Sequence, residues 1–181
     1  MIDFTFSPFP LLLTGNFSMR NLLPADDHEI FALRSSEEIN RYLDRPKANS
    51  IDDARNFIAK ITAAIANNES ILWVITPKTA SEFLGTICLW NISREESKAE
   101  IGFELLPQHH SKGIMQEVIP EVIRFGFEQM KLDTIEAELS PRNLKSLKLL
   151  ERNHFILKSE SHNDNPDSVI YTLSKTQKEL C

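Results

Sequence analysis

Apolar and polar residues follow two different periods along this chain, and the switches between them outline its elements. Ala54, Phe57, Ile58, Ile61, Ala64 and Ile65 recur at three- and four-residue spacing, which places them on one face of a helix. Ser50 precedes that run and Asp53 follows three residues later, the arrangement of a capped first turn. Asn67 and Asn68 close the helix. Short apolar runs then take over at residues 71–76, 83–91 and 98–106, separated by the polar stretches 77–81 and 93–97. These read as consecutive strands, the first two as a hairpin. A long helix is predicted over 114–130, with Pro120 in its second turn as a candidate kink. Residues 134–139 read as a strand, 143–153 as a helix, and 155–158 and 169–173 as a final pair of strands. Ahead of all of these, 16–22 alternates as a short strand and 24–34 and 37–43 read as short helices. Helices interleaved with strands predict a mixed α/β sheet with helices on both faces.

Length and charge narrow the picture. A chain of 181 residues suits one domain with a sizeable core, and no repeat or linker divides it. No apolar run approaches the ~20 residues of a membrane span, so no membrane partner is expected. The first residues lack a basic stretch, which argues against a secretory signal. The cysteines are Cys88 and Cys181, too few and too far apart for a disulfide framework or a zinc site, and a cytoplasmic protein is expected. A net charge of −6 argues against nucleic acid as a partner. It suits a basic acceptor by long-range steering, but solubility alone is the simpler explanation of such mild acidity.

The densest chemistry lies between Ala99 and Val118, a strand, a polar turn and a helix start in that order. Such a turn offers a run of backbone N–H groups at a helix N-terminus, a ready site for an anion such as a pyrophosphate. Gly113 lets the backbone approach that anion without a Cβ in the way. The segment from Glu100-Ile101-Gly102-Phe103 through His110-Ser111-Lys112-Gly113-Ile114-Met115 to Glu117 resembles the acyl-CoA loop of the GCN5-related N-acetyltransferases (GNAT), in particular the branch that acetylates N-termini of ribosomal proteins. His110 stands where the family favours Gln or Arg, and Met115 where it favours Gly or Ala. A second segment, Asn143 to Phe155, resembles the family's N-x-x-S-x-x-L-x-E-x-x-G-F, with Asn143, Ser146, Leu149, Glu151 and Phe155 in place and His154 at the glycine. The opening from Leu13-Thr14 to Asp26-Asp27 and the strand Leu84 to Trp90 resemble family segments too. The resemblance spans about residues 13–174 of a single N-acetyltransferase domain covering 1–181.

The resemblance implies a mostly antiparallel central sheet flanked by helices, whose fourth and fifth family strands (here 98–106 and 134–139) splay to admit acetyl-CoA. It implies cofactor contacts from Phe103, Leu105, His110, Ser111, Lys112, Gly113, Ile114 and Met115, with Asn143 on the pantetheine arm and the backbone of 103–106 near the oxyanion. Lys112 and Arg142 are candidates for the phosphates, with Lys145 and Lys148 as a solvated helix face or, alternatively, partners of the ribose 3′-phosphate. N-acetylation needs a base for the attacking amine and an acid for the departing thiol. Glu100 matches the family's catalytic Glu position, and its other reading is a solvent-facing or ion-paired carboxylate. Glu104 shares its sheet face by the period of two and could substitute or recognise the amine. The usual family Tyr is replaced by Leu150, which leaves Ser146 as the hydroxyl for the sulfur side, against an ordinary helix Ser. The ribosomal branch carries an acid where this chain has Lys158. Adjacent His109 and His110 do not suggest a metal. Trp73, Trp90, Phe125 and Phe127 read as core. The implied activity is acetyl transfer to a primary amine, which the branch resemblance extends to a ribosomal or other protein N-terminus, by a monomer or homodimer. A small-molecule amine or antibiotic acetyltransferase stays open, as does a catalytically silent acyl-CoA-binding regulator. The acceptor pocket is expected from residues 24–50 and 159–168.

Overall fold

A computed structural model describes residues 2–43, 45–159 and 168–178; the expected acceptor-side residues 160–167 lie outside it. The described strands form one sheet of eight, ordered β1-β2-β3-β4-β5-β6-β8-β7. They are β1 (Leu12–Leu13), β2 (Phe17–Asn21), β3 (Ile71–Pro77), β4 (Gly85–Ser93), β5 (Lys98–Leu105), β6 (Thr134–Leu139), β7 (Ile156–Ser159) and β8 (Val169–Ser174). Neighbours run antiparallel except β5 and β6, which are parallel. The helices are α1 (Asp27–Ser35), α2 (Glu37–Asn40), α3 (Ile51–Ala66), α4 (Ile114–Glu128), α5 (Leu144–Arg152) and α6 (Lys175–Lys178).

The two sides of the sheet follow the parity of its central strands. On β3 to β5 the odd-numbered Trp73, Ile75, Ile87, Leu89 and Ile101 are buried with Val118, Ile119, Val122 and Ile123 of α4 and Leu150 of α5, in the larger core. The even-numbered Leu72 and Val74 join Ile30, Leu33, Ala54 and Ile58 of α1 and α3 in a second core. Helices therefore cover both faces, as the pattern predicts. Ser50 accepts from the Asp53 N–H while the Asp53 carboxylate accepts from the Ser50 N–H, so α3 starts at its predicted cap. Strand β6 occupies its predicted residues.

Departures have local causes. Helix α2 stops at Asn40 rather than residue 43. The buried Asn40 amide donates to the carbonyls of Leu33, Arg34 and Ser36, which folds the chain back on α1. Strand β1 and helix α6 are two and four residues long, too short for a period to show. Helix α4 runs through Pro120, whose ring is exposed, and ends at Glu128 rather than residue 130. Trp90, expected in the core, is 48% exposed, because its even-numbered position turns it to the α1–α3 side beyond the reach of the second core.

One register decides where a ligand can enter. Between β5 and β6 the pairs are Lys98 with Thr134, Ala99 with Ile135 and Glu100 with Glu136. Beyond them β5 continues to Leu105 on β4 alone, and β6 continues to Leu139 on β8 alone. The chain leaves the far ends of the two strands into α4 and α5, so both helix N-termini stand at the carboxyl ends of this gap.

Gly85 holds β4 against the far half of β5. A Cβ there would lie 2.2 Å from the Glu104 carbonyl oxygen and 2.7 Å from the Leu105 Cα, both backbone. Gly85→Ala is expected to push the strands apart and cost about 1–3 kcal/mol, read as a lower urea midpoint with unchanged slope.

Candidate active site

Backbone groups line the gap on the β5 side. The Leu106 N–H bonds the Leu84 carbonyl, which sets the ladder so that even-numbered β5 residues pair with β4. The polar groups of Phe103 and Leu105 therefore point toward the gap. The Leu105 carbonyl is taken there by His110, whose Nε2 donates to it at 2.9 Å. The other His110 nitrogen lies 3.6 Å from Glu38, so its imidazole is spent on positioning the loop. His109 is buried and faces Glu82 at 3.4 Å. The neighbouring imidazoles thus serve separate partners and do not converge on one ion.

The loop after β5 turns through two left-handed residues, Ser111 at φ 60° and Gly113 at φ 77°. Gly113 is the N-cap of α4 and supplies no side chain to its first N–H groups. A Cβ at Gly113 would meet nothing within 4 Å, so the space in front of that helix start is open. Ile114 and Met115 point into the core and anchor the turn, while Ser111 and Lys112 are exposed beside the opening. This arrangement fits the pyrophosphate of acetyl-CoA: free N–H groups, the positive end of a 15-residue helix and room for close approach. Glu117, in the first turn, accepts from the Thr14 hydroxyl and the Asn16 N–H, both at 2.6 Å, and from the Asn16 amide at 2.8 Å. Burial raises its pKa, but these hydrogen bonds outweigh it and hold the carboxyl below its usual range.

Across the gap, Asn143 caps α5, its Oδ1 accepting the Ser146 N–H at 3.2 Å. The Ser146 side chain is half-buried, and its hydroxyl makes no hydrogen bond among the described residues. Leu150, at the family's Tyr position, is fully buried in the α4–α5 core and cannot serve the site. His154, at the family's Gly position, takes φ 65° just past the end of α5, the left-handed conformation that glycine adopts most easily. Lys112 and Arg142 reach solvent from the two sides of the gap, and Lys145 and Lys148 lie on the exposed face of α5.

The even face of β5 carries the carboxylates. Glu100, the last β5 residue paired with β6, lies there opposite Trp90 on β4 and Glu136 on β6. Its carboxylate accepts the Asn91 amide at 2.6 Å. Gly102 follows as a low floor, since a Cβ would come within 3.0 Å of the Cys88 sulfur and 3.7 Å of the Trp90 Nε1. Glu104 comes next and is not free to meet an amine: Arg45 Nη2 holds it at 2.7 Å. The Arg45 Nε is itself held by Asn40 at 2.7 Å. Glu136 is buried and paired with Lys158. Burial, and then the charges of Glu104 and Glu100, push the Cys88 thiol up to about 12, so it stays protonated at neutral pH. The sequence pointed to none of Asn40, Arg45 and the Glu136–Lys158 pair, because each acts through a contact distant in the chain.

Residues 17–156 match the acetyltransferase (GNAT) domain family. The chain belongs to that family. The GNAT assignment makes it an acetyltransferase, and relatives agree. An uncharacterized N-acetyltransferase of Bacillus subtilis, YoaA, is 32% identical over 142 residues, 78% of this chain and 80% of its own length. Among solved structures, the ribosomal L7/L12 α-N-protein acetyltransferase RimL in complex with CoA superposes with a TM-score of 0.80 at 16% identity, covering 91% of this chain and 98% of that one. A spermidine N-acetyltransferase of Vibrio cholerae, with CoA and spermine, superposes with a TM-score of 0.78 at 20% identity, covering 89% and 96%. The mixed sheet of this GNAT chain is the fold they share. No described helix is long and apolar enough to cross a membrane.

Gly113 tests the anion site. Gly113→Val places a β-branched side chain at φ 77° and fills the open space before α4. CoA affinity measured by calorimetry is expected to fall at least tenfold while the far-UV spectrum of the fold is retained.

Proposed function

We propose that this enzyme moves an acetyl group from acetyl-CoA to a primary amine that approaches across the α1–α3 face, with Glu100 as the base. The observation that carries this reading is the placement of Glu100 where β5 and β6 part, on the face opposite α4 and α5. Acetyl-CoA supplies a carbonyl already activated by its sulfur. The backbone of Phe103 and Leu105 binds the arm along β5, and the loop 110–115 binds the phosphates. The Leu105 N–H, directed to the gap, stabilises negative charge on the reacting oxygen. Ser146, reaching the gap from α5 on the other face, gives a proton to the departing sulfur, while Asn143 fixes the start of that helix beside the arm. The protonated Cys88 thiol is a poor nucleophile, which favours direct attack by the amine over passage through an acyl-cysteine.

A protein N-terminus is the acceptor proposed from the branch resemblance. A polyamine fits less well, because the carboxylates that would receive its extra charges are engaged: Glu104 by Arg45 and Glu136 by Lys158. Cytoplasmic action is proposed on the sequence alone.

Two substitutions separate the roles. Glu100→Gln keeps an acceptor for the Asn91 amide but cannot take a proton. Turnover at neutral pH is expected to fall roughly 10²-fold, with partial recovery at high pH where free amine is abundant. Wild-type rates across the pH range in this variant would make Glu100 a bystander. Ser146→Ala leaves the backbone cap intact, so turnover is expected to drop with CoA affinity unchanged in calorimetry. Equal loss of both would assign Ser146 to packing.

A further inference from the structure

On the α1–α3 side of the sheet most of the partly buried charged groups are matched. Glu104 holds Arg45 at 2.7 Å, Glu37 holds Lys47 at 3.3 Å and Asp27 holds Arg55 at 2.8 Å. Asp53 accepts the N–H groups of Asn49 and Ser50 at the start of α3. Arg34 is half-buried, with its guanidinium 4.1 Å from the centre of the Phe57 ring. It makes no ion pair or hydrogen bond from that group among the described residues. Burial, and then the charge of Arg45, hold its pKa below the usual guanidinium range, and Glu104 offsets only part of this. A desolvated charge of this kind gains most from an incoming anion.

Space for that anion exists beside it. Arg34, Lys47, Ala48, Asp53 and Phe57 line a cavity of about 270 Å³. The Ala48 N–H donates to the Arg34 carbonyl at 3.1 Å, which pins the 46–49 segment as one wall. Pro46 also lines it, and the preceding residue, Arg45, reaches Glu104 on β5 at 2.7 Å, which ties the cavity wall to the even face of that strand. Glu100 and Glu104 are four residues apart on one strand, about 13 Å.

We propose that this cavity is an acceptor subsite for an acidic group, a carboxylate or a phosphate, which pairs with Arg34 while the acceptor's amine lies at Glu100. The inference rests on the acceptor-face reading above. It sets a length: the acid stands about 13 Å or more from the reacting amine, the reach of roughly four extended residues. A peptide with an acidic side chain near its fourth position meets that length, and so does a long aminoalkyl phosphate.

The test uses tetra- and pentapeptides with a single Glu moved stepwise from the N-terminus, each with a Gln twin, and aminoalkyl phosphates of graded length with neutral twins. At saturating acetyl-CoA the acidic member of the best-spaced pair is expected to be favoured about 10- to 100-fold in kcat/KM, carried by KM. Which series shows the preference tells peptide from phosphate. Arg34→Met should bring the ratio near one, and Arg34→Lys should restore part of it. In parallel, inorganic phosphate added to the CoA-saturated protein should raise the Tm of the wild type and not of Arg34→Met. Acetylation of both members of every pair at equal efficiency overturns the subsite and leaves the transfer reading standing, as does a preference that survives Arg34→Met. If no acceptor is acetylated, the transfer reading fails, and the phosphate comparison alone decides the subsite: equal Tm shifts, or none, overturn it.

Discussion

Between β5 and β6 the hydrogen-bonded ladder ends after Glu100 and Glu136, and the site is organised around that ending. A strand that loses its neighbour exposes N–H and C=O groups whose burial without partners would be costly. Here they are kept at an opening, where a ligand backbone or water can meet them. The parallel direction of the pair is what concentrates the chemistry. Both strands deliver their carboxyl ends to the same side, so the loop 107–113 and the cap Asn143 flank one gap, and two helix dipoles point their positive ends at it. The same parity that buries odd-numbered residues under α4 and α5 turns Glu100, Gly102 and Glu104 to the opposite face. In the proposed reaction, donor and acceptor approach one point from different sides of the sheet.

Charge on the even face of β5 is governed by a buried amide. Asn40 spends its Nδ2 on three carbonyls at the α1–α2 corner and its Oδ1 on Arg45. That fixes the guanidinium against Glu104 across 59 positions of sequence. The carboxylate row along β5 therefore carries less net negative charge than the composition of the chain suggests. The net charge of −6 describes the far field, and the local inventory describes the pocket.

Elements whose signals are local were legible in the sequence: the Ser50 cap of α3, the β6 strand, and the turn that ends in Gly113. The left-handed backbone at Gly113 is the physical reason a glycine stands there, and the same demand at His154 explains why the family glycine at that place was informative even when absent. Trp90 was read as core because its hydrophobicity is visible and its facing is not, since facing depends on where α1 and α3 stop. Asn40, Arg45 and Arg34 left no pattern at all. Their partners lie on another helix, on a distant strand or in a cavity, and such meetings exist only after folding.

The three hydrogen bonds on Glu117 tie the turn between β1 and β2 to the first turn of α4. That turn sits at one edge of the sheet, well separated in sequence from the loop 110–115. Any ligand that orders the start of α4 also strengthens the seat of this hairpin, and by thermodynamic reciprocity a looser hairpin weakens the ligand's hold. If acetyl-CoA is held at the α4 start as proposed, the first strands of the chain share in that binding without touching it. Amide exchange in residues 14–17 would then report on the order of the α4 start, which the Glu117 carboxylate shares with them.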